Sequence, residues 1–269
     1  SCSKMDEIVP EGGTMLESQL QETTNAIPAR GDASFSGMFT KLGDPLSFGR
    51  FTSDRPDDFG FIMMDFSNDL EGPDIVTSDN DYNWFSTCME YSSRNADYAN
   101  PYIRYRGCYD EIGRANDLIK MYGEINDEMP ADIRYKVAQA YAIRAFSYLH
   151  LAPYYQFNYQ LAADKPCVPI VTTADVDFTQ NPRASVKEVY DLIVADLTHA
   201  IENLEGYVRP GKAKIDQQVA YGLRARAYLD MGLWTEAAED AAKAAEGYTP
   251  AGRSDLVHPA FMEINEPNW

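Results

Sequence analysis

Residues 216–249 read DQQVAYGLRARAYLDMGLWTEAAEDAAKAAEGYT, and this stretch decides the fold. Val219, Ala220, Leu223, Ala227 and Tyr228 recur at helical spacing. Met231 and Gly232 make a turn. Trp234, Ala237, Ala238, Ala241 and Ala245 then form the stripe of a second helix. Thr235 is expected to cap it, its hydroxyl accepting an otherwise unpaired backbone N–H. Alanines on one stripe let two helices approach closely, and Trp234 and Tyr228 are expected to fill the volume that remains.

A hairpin of this kind resembles a tetratricopeptide unit, which buries its apolar face only by stacking on neighbours. Working outward, the neighbours are present. Asn100 and Pro101 open a helix carrying Tyr105, Tyr109, Ile112, Asn116 and Ile119, and Gly123 ends it. Asn116 lies on the apolar seam, so a structural polar network is expected around it. A helix over 130–152 presents Val137, Tyr141, Ala145, Tyr148 and Leu149 on one face. A loop with Tyr154, Tyr155 and Tyr159 follows, then a strand-like run Val168–Val171. Ser185-Val-Lys-Glu188 is a capping box for a helix to about residue 205, and helices at 216–231 and 235–247 complete the series.

Nearer the start, Thr14–Glu17 is another capping box, opening a helix that stops near Pro28. Residues 29–34 (ARGDAS) read as a break before Phe35, Met38 and Phe39. Residues 43–99 lack regular periodicity but are rich in Asp, Asn, Ser, Gly, Pro and aromatics. A long irregular stretch inside a compact domain is usually functional or disordered, and the aromatic content argues against disorder. The expected fold is therefore mainly α: tetratricopeptide-like hairpins with a long, irregular, aromatic-rich insertion.

The composition narrows function. A net charge of −19 over 269 residues repels phosphate backbones and excludes nucleic acid as a natural partner. No apolar run approaches the ~20 residues of a membrane span. Cys2, Cys88, Cys108 and Cys167 form no C-x-x-C pair and show no zinc-ligand spacing to His150, His199 or His258, so no metal is expected. Packing or surface roles fit His150 and His199. Cys88 and Cys108 are either a disulfide of an oxidising compartment or buried free thiols. No G-x-S-x-G, H-E-x-x-H or phosphate-binding glycine loop occurs, and no catalytic residue or cofactor is expected.

Four segments carry a family resemblance. Tyr109-x-x-Ile112-x-x-Ala115-Asn116, Ala140-x-x-x-Arg144-Ala145-x-x-Tyr148, Arg183-x-Ser185-Val186-x-Glu188-Val189-Tyr190 through Asp196-Leu197, and Ala225-Arg226-Ala227-Tyr228-Leu229 with Gly232 and Trp234 follow one another in order. Together they resemble the SusD/RagB family. That resemblance implies a cell-surface lipoprotein of the outer membrane in Bacteroidetes, lying over a SusC-type TonB-dependent transporter. Such a protein captures glycans, or in some branches peptides, for import without catalysing a reaction. It also implies that Cys2 carries the acyl chains, with residues 1–13 as leader and tether and residues 14–269 as the helical domain. Members are usually longer, with a loop-rich second half that this stretch does not include.

The resemblance places the ligand site on loops, and the insertion supplies candidates. Sugar rings pack C–H patches on aromatic faces while their hydroxyls need directional polar partners. Trp84 and Tyr82, flanked by Asn80, Asp81 and Asn83, form the first platform, with Tyr98 beside it. Tyr105 and Tyr109 sit on the helical seam, where packing is the expected role.

Overall fold

Apolar side chains at three- and four-residue spacing become helices throughout the computed structural model, which describes residues 29–45, 60–73, 75–76, 85–173, 177 and 179–249. In chain order the helices are α1 (Ala29–Lys41), α2 (Gly60–Leu70), α3 (Ser86–Met89), a short 3-10 turn (Ser92–Arg94), α4 (Ala99–Tyr122), α5 (Ala131–Tyr155), α6 (Tyr159–Ala162), α7 (Val186–Asn203), α8 (Gln217–Met231) and α9 (Trp234–Ala245). Strands β1 (Pro166–Pro169) and β2 (Arg183–Ser185) pair antiparallel, with an irregularity between their two register points. The long helices stack in order, α4 on α5, α5 on α7, α7 on α8 and α8 on α9. This is the tetratricopeptide-like arrangement expected from the repeats. Ile112 and Leu118 of α4, Ile143 and Leu151 of α5, and Ile193 and Leu197 of α7 are fully buried between layers. Each such side chain contributes ~1.5–3 kcal/mol.

A polar network ties the layers together. The Arg144 guanidinium donates to both carboxylate oxygens of Asp196, at 2.8 and 2.7 Å. It also donates to Asn116 Oδ1 at 2.8 Å and to the Thr172 carbonyl at 3.2 Å. The Asn116 amide in turn donates to the Val171 carbonyl at 3.0 Å, and the Val171 N–H donates to the Tyr148 hydroxyl at 2.7 Å. Asn116, Arg144, Tyr148 and Asp196 thus converge from three helices on one irregular segment, whose backbone groups would otherwise be buried without partners. The motif residues hold the chain that follows β1 against the bundle. The Ser185–Glu188 capping box is also present: Glu188 N–H donates to Ser185 Oγ at 3.2 Å, and Ser185 N–H donates to Glu188 Oε2 at 2.7 Å.

Several expectations are corrected. The break at 29–34 is helix, part of α1. The insertion is not wholly irregular, because Phe61, Met64 and Leu70 give α2 a buried face. Tyr154 and Tyr155 belong to the last turn of α5, which runs through Pro153. Arg183–Ser185 form a strand, and Ser185 at its end caps the helix that follows. Cys88, Cys108 and Cys167 are free and buried, which resolves the choice between a disulfide and thiols. Burial pushes the Cys167 thiol up to about 11.

The largest correction concerns α9. Thr235 does not cap it: the helix begins at Trp234, and its N-cap Leu233 offers no side-chain bond. Trp234 fills no internal volume and stays 66% exposed, while Ala238, Ala241 and Ala245 face outward. The buried face carries Ala237 and Asp240, and Asp240 is bound by both arms of Arg224 at 2.6 and 2.9 Å. A paired charge, invisible to an apolar-stripe reading, takes the place expected for Ala238, Ala241 and Ala245 on the buried face.

Gly232 closes α8 with φ +75, and a Cβ there would meet Gln160 Nε2 at 2.6 Å. Gly232→Ala is expected to cost about 1–2 kcal/mol, measured as a lowered thermal midpoint. An unchanged midpoint would mean that Gln160 moves aside and the turn is unstrained.

Candidate functional site

The aromatic insertion enters the described structure at both of its stems, and those stems are fastened to each other. Glu71, just past α2, holds a carboxylate that accepts from Ser93 Oγ at 2.7 Å and from Arg104 at 2.9 Å. Arg94 stands 3.7 Å from the same carboxylate and lies over the Tyr91 ring at 4.4 Å. Charge-assisted bonds of this kind are stronger than neutral ones. Phe85 packs edge-on against Phe66 of α2, with ring centroids 5.0 Å apart. Cys88 is fully buried, with its Sγ 3.7 Å from the Asn100 amide, and burial pushes its thiol up. Tyr91 adopts φ 59, a left-handed residue that turns the chain between α3 and the 3-10 turn.

Behind the stems stands α5. The Arg104 guanidinium lies over the Tyr154 ring at 4.4 Å. The Tyr155 hydroxyl donates to the Pro101 carbonyl at 2.9 Å, fixing the start of α4. Burial pushes the Tyr154 phenol up to about 12, so it stays a neutral donor, bonded to the Met64 carbonyl at 3.3 Å.

Of the expected ligand residues, Tyr98 is placed by the structure. It is the N-cap of α4 and 39% exposed, with its N–H donating to Asn95 O at 3.0 Å. Asn80, Asp81, Tyr82, Asn83 and Trp84 lie outside the described residues, as does Cys2. The supporting residues Glu71, Ser93 and Arg104 were not foreseen. Arg104 had a signal, because it lies on the α4 face shared by Asn100 and Cys108, where an unpaired charge is too costly to bury.

Tyr109 packs as expected, donating to the Pro169 carbonyl at 2.6 Å, whereas Tyr105, with its ring centroid 4.6 Å from that of Tyr109, stays exposed. They also line a cavity of about 720 Å³ with Asp110, Arg114 and Asn181. A second cavity of about 710 Å³ opens between the end of α5 and the α8–α9 turn. Among the described residues no cluster of His, Cys, Asp and Glu is placed to hold a metal, and no helix is long and apolar enough to cross a membrane.

Stacked helices α4 to α9, with the segments on either side of the insertion bonded to each other through Glu71, define a helical scaffold class of protein. The comparisons agree. The chain belongs to the SusD-like family described as starch-binding and associating with the outer membrane, whose profile matches residues 66–229. That family is one of carbohydrate-binding, non-catalytic proteins. The chain is similar to SusD-like protein P2 of Formosa agariphila, 32% identical over 161 residues, 60% of this chain and 30% of that protein. It also resembles a SusD-like carbohydrate binding protein from Bacteroides vulgatus, with a TM-score of 0.74 at 27% identity over 84% of this chain and 46% of the other. A SusD superfamily protein from Bacteroides thetaiotaomicron shares the fold at 19% identity, with a TM-score of 0.65 over 84% of this chain and 48% of the other. The chain therefore spans less than half the length of each of these relatives.

Proposed function

We propose that this chain is the helical portion of a cell-surface lipoprotein that captures a glycan and passes it to a SusC-type TonB-dependent transporter in the outer membrane. The family match over residues 66–229 carries the reading. The Bacteroides vulgatus relative, a carbohydrate binding protein by name, supports the ligand class. In this reading Cys2 bears the lipid anchor and the stacked helices α4 to α9 present the scaffold to the transporter. Trp84 and Tyr82 form the sugar platform, with Asn80, Asp81, Asn83 and Tyr98 bonding hydroxyls. The Glu71–Ser93–Arg104 fastening supports this assignment, because a platform works only if its stems are held before the ligand arrives.

Native gels cast with soluble starch or a β-glucan test the reading. The full chain is expected to be retarded in at least one. Trp84→Ala is expected to bind about tenfold more weakly, a loss of ~1.4 kcal/mol, with its circular dichroism unchanged. Retardation in no polysaccharide would defeat the glycan reading. Equal retardation of Trp84→Ala would defeat the platform assignment alone.

A further inference from the structure

The cavity between the end of α5 and the α8–α9 turn has a lining that the scaffold role does not require. Trp234 is 66% exposed and Phe157 is 76% exposed, and both line it. Asp230, Asn158, Gln160 and Leu229 line it as well. Two large exposed aromatics around one cavity mark a candidate interaction site. At about 710 Å³ the cavity falls within the ~300–1,000 Å³ range of small-ligand sites.

The polar groups here are set in place by the fold. Asp230 Oδ2 accepts the Tyr190 hydroxyl at 3.0 Å, which orients the carboxylate. Gln160 Nε2 donates to the Asp230 carbonyl at 3.1 Å, an approach that Gly232 permits because it has no Cβ. Asn158 Oδ1 caps α6 by accepting the Leu161 N–H at 3.1 Å. Each amide carries a second polar atom beyond the bond that fixes it. Exposed aromatic faces beside a carboxylate and two oriented amides match the chemistry of a sugar, with apolar C–H patches and a ring of hydroxyls. A carboxylate in the lining and a net charge of −19 disfavour an anionic ligand. An apolar polypeptide surface would leave Asp230 facing it with little compensation.

We propose that this cavity is a second carbohydrate subsite, remote in sequence from the aromatic insertion, that takes a neutral glycan. Trp234 and Phe157 supply the stacking faces, and Asp230, Asn158 and Gln160 bond the hydroxyls. The proposal rests on the glycan-binding reading and adds a second point of attachment for a long chain.

The same starch and β-glucan gels, run with the full chain, test it. Trp234→Ala and Phe157→Ala remove exposed rings and are expected to fold. Each is expected to weaken retardation by about three- to tenfold, with Asp230→Asn weakening it less. Combined with Trp84→Ala, Trp234→Ala is expected to abolish retardation that either single variant retains in part. Retardation of both Trp234→Ala and Phe157→Ala equal to the unaltered chain would overturn the subsite and leave the glycan reading standing. No retardation of the unaltered chain in any gel would overturn both.

Discussion

Arg144→Ala is expected to destabilise the protein by about 3–5 kcal/mol, the largest effect of any single substitution considered for this chain. Arg144 and Asp196 are both almost wholly buried, and the variant leaves the Asp196 carboxylate without its two donors. It also strips a donor from Asn116 Oδ1 and from the Thr172 carbonyl. Removing both charges together, as Arg144→Met with Asp196→Leu, is expected to recover part of the loss but not all. The pair itself is replaceable by apolar packing, whereas Asn116 and Thr172 remain without that donor. Urea denaturation of Arg144→Met, Asp196→Leu and their double variant gives the coupling directly. A loss below about 1 kcal/mol for Arg144→Ala would show that water reaches the pair and that the network is not what holds the segment after β1.

The second large effect depends on pH. Glu111 of α4 is fully buried, and neither of its carboxyl oxygens has a hydrogen-bond partner among the described residues. Arg114 Nε stands 3.9 Å away on the same helix, beside Asp110, and Lys41 and Asp44 face it from the end of α1. Burial dominates and pushes the carboxyl up to about 8. The folded state then holds a proton that the unfolded chain releases above the ordinary carboxylate range. Stability contributed at this position is therefore present at low pH and lost as pH rises towards 8. Across that window the loss is on the order of 4 kcal/mol. Glu111→Gln keeps the shape without the ionisation and is expected to flatten this slope, becoming the more stable protein at pH 8.5. Parallel stability curves for the two proteins between pH 5 and 8.5 would show instead that Glu111 is ionised and compensated.

The repeats were legible in the sequence because their helices are long and their buried faces apolar. The helices expected at 130–152 and 216–231 lie within a few residues of α5 and α8. Asn116 could be assigned to a network because a polar residue on an apolar seam has few alternatives. Two kinds of feature were not legible. Interfaces built from paired charges are hidden, since Asp240 looks solvent-facing until Arg224 is seen across from it. The long-range fastening of the insertion is hidden too, because Glu71 and Arg104 are 33 residues apart and neither position names its partner. The proposed aromatic platform was readable only as composition. Its frame came from the structure, and so did both cavities, whose walls draw on segments far apart in the chain.

The Glu71 fastening has a consequence for how such a protein diversifies. Ser93 and Arg104 join the two stems directly, so loop closure is secured whatever lies between Val76 and Phe85. Doubling the length of a closed loop costs only ~0.6 kcal/mol. Insertions in that interval are therefore expected to cost folding little. Sequence in that interval can change while the scaffold below it stays the same.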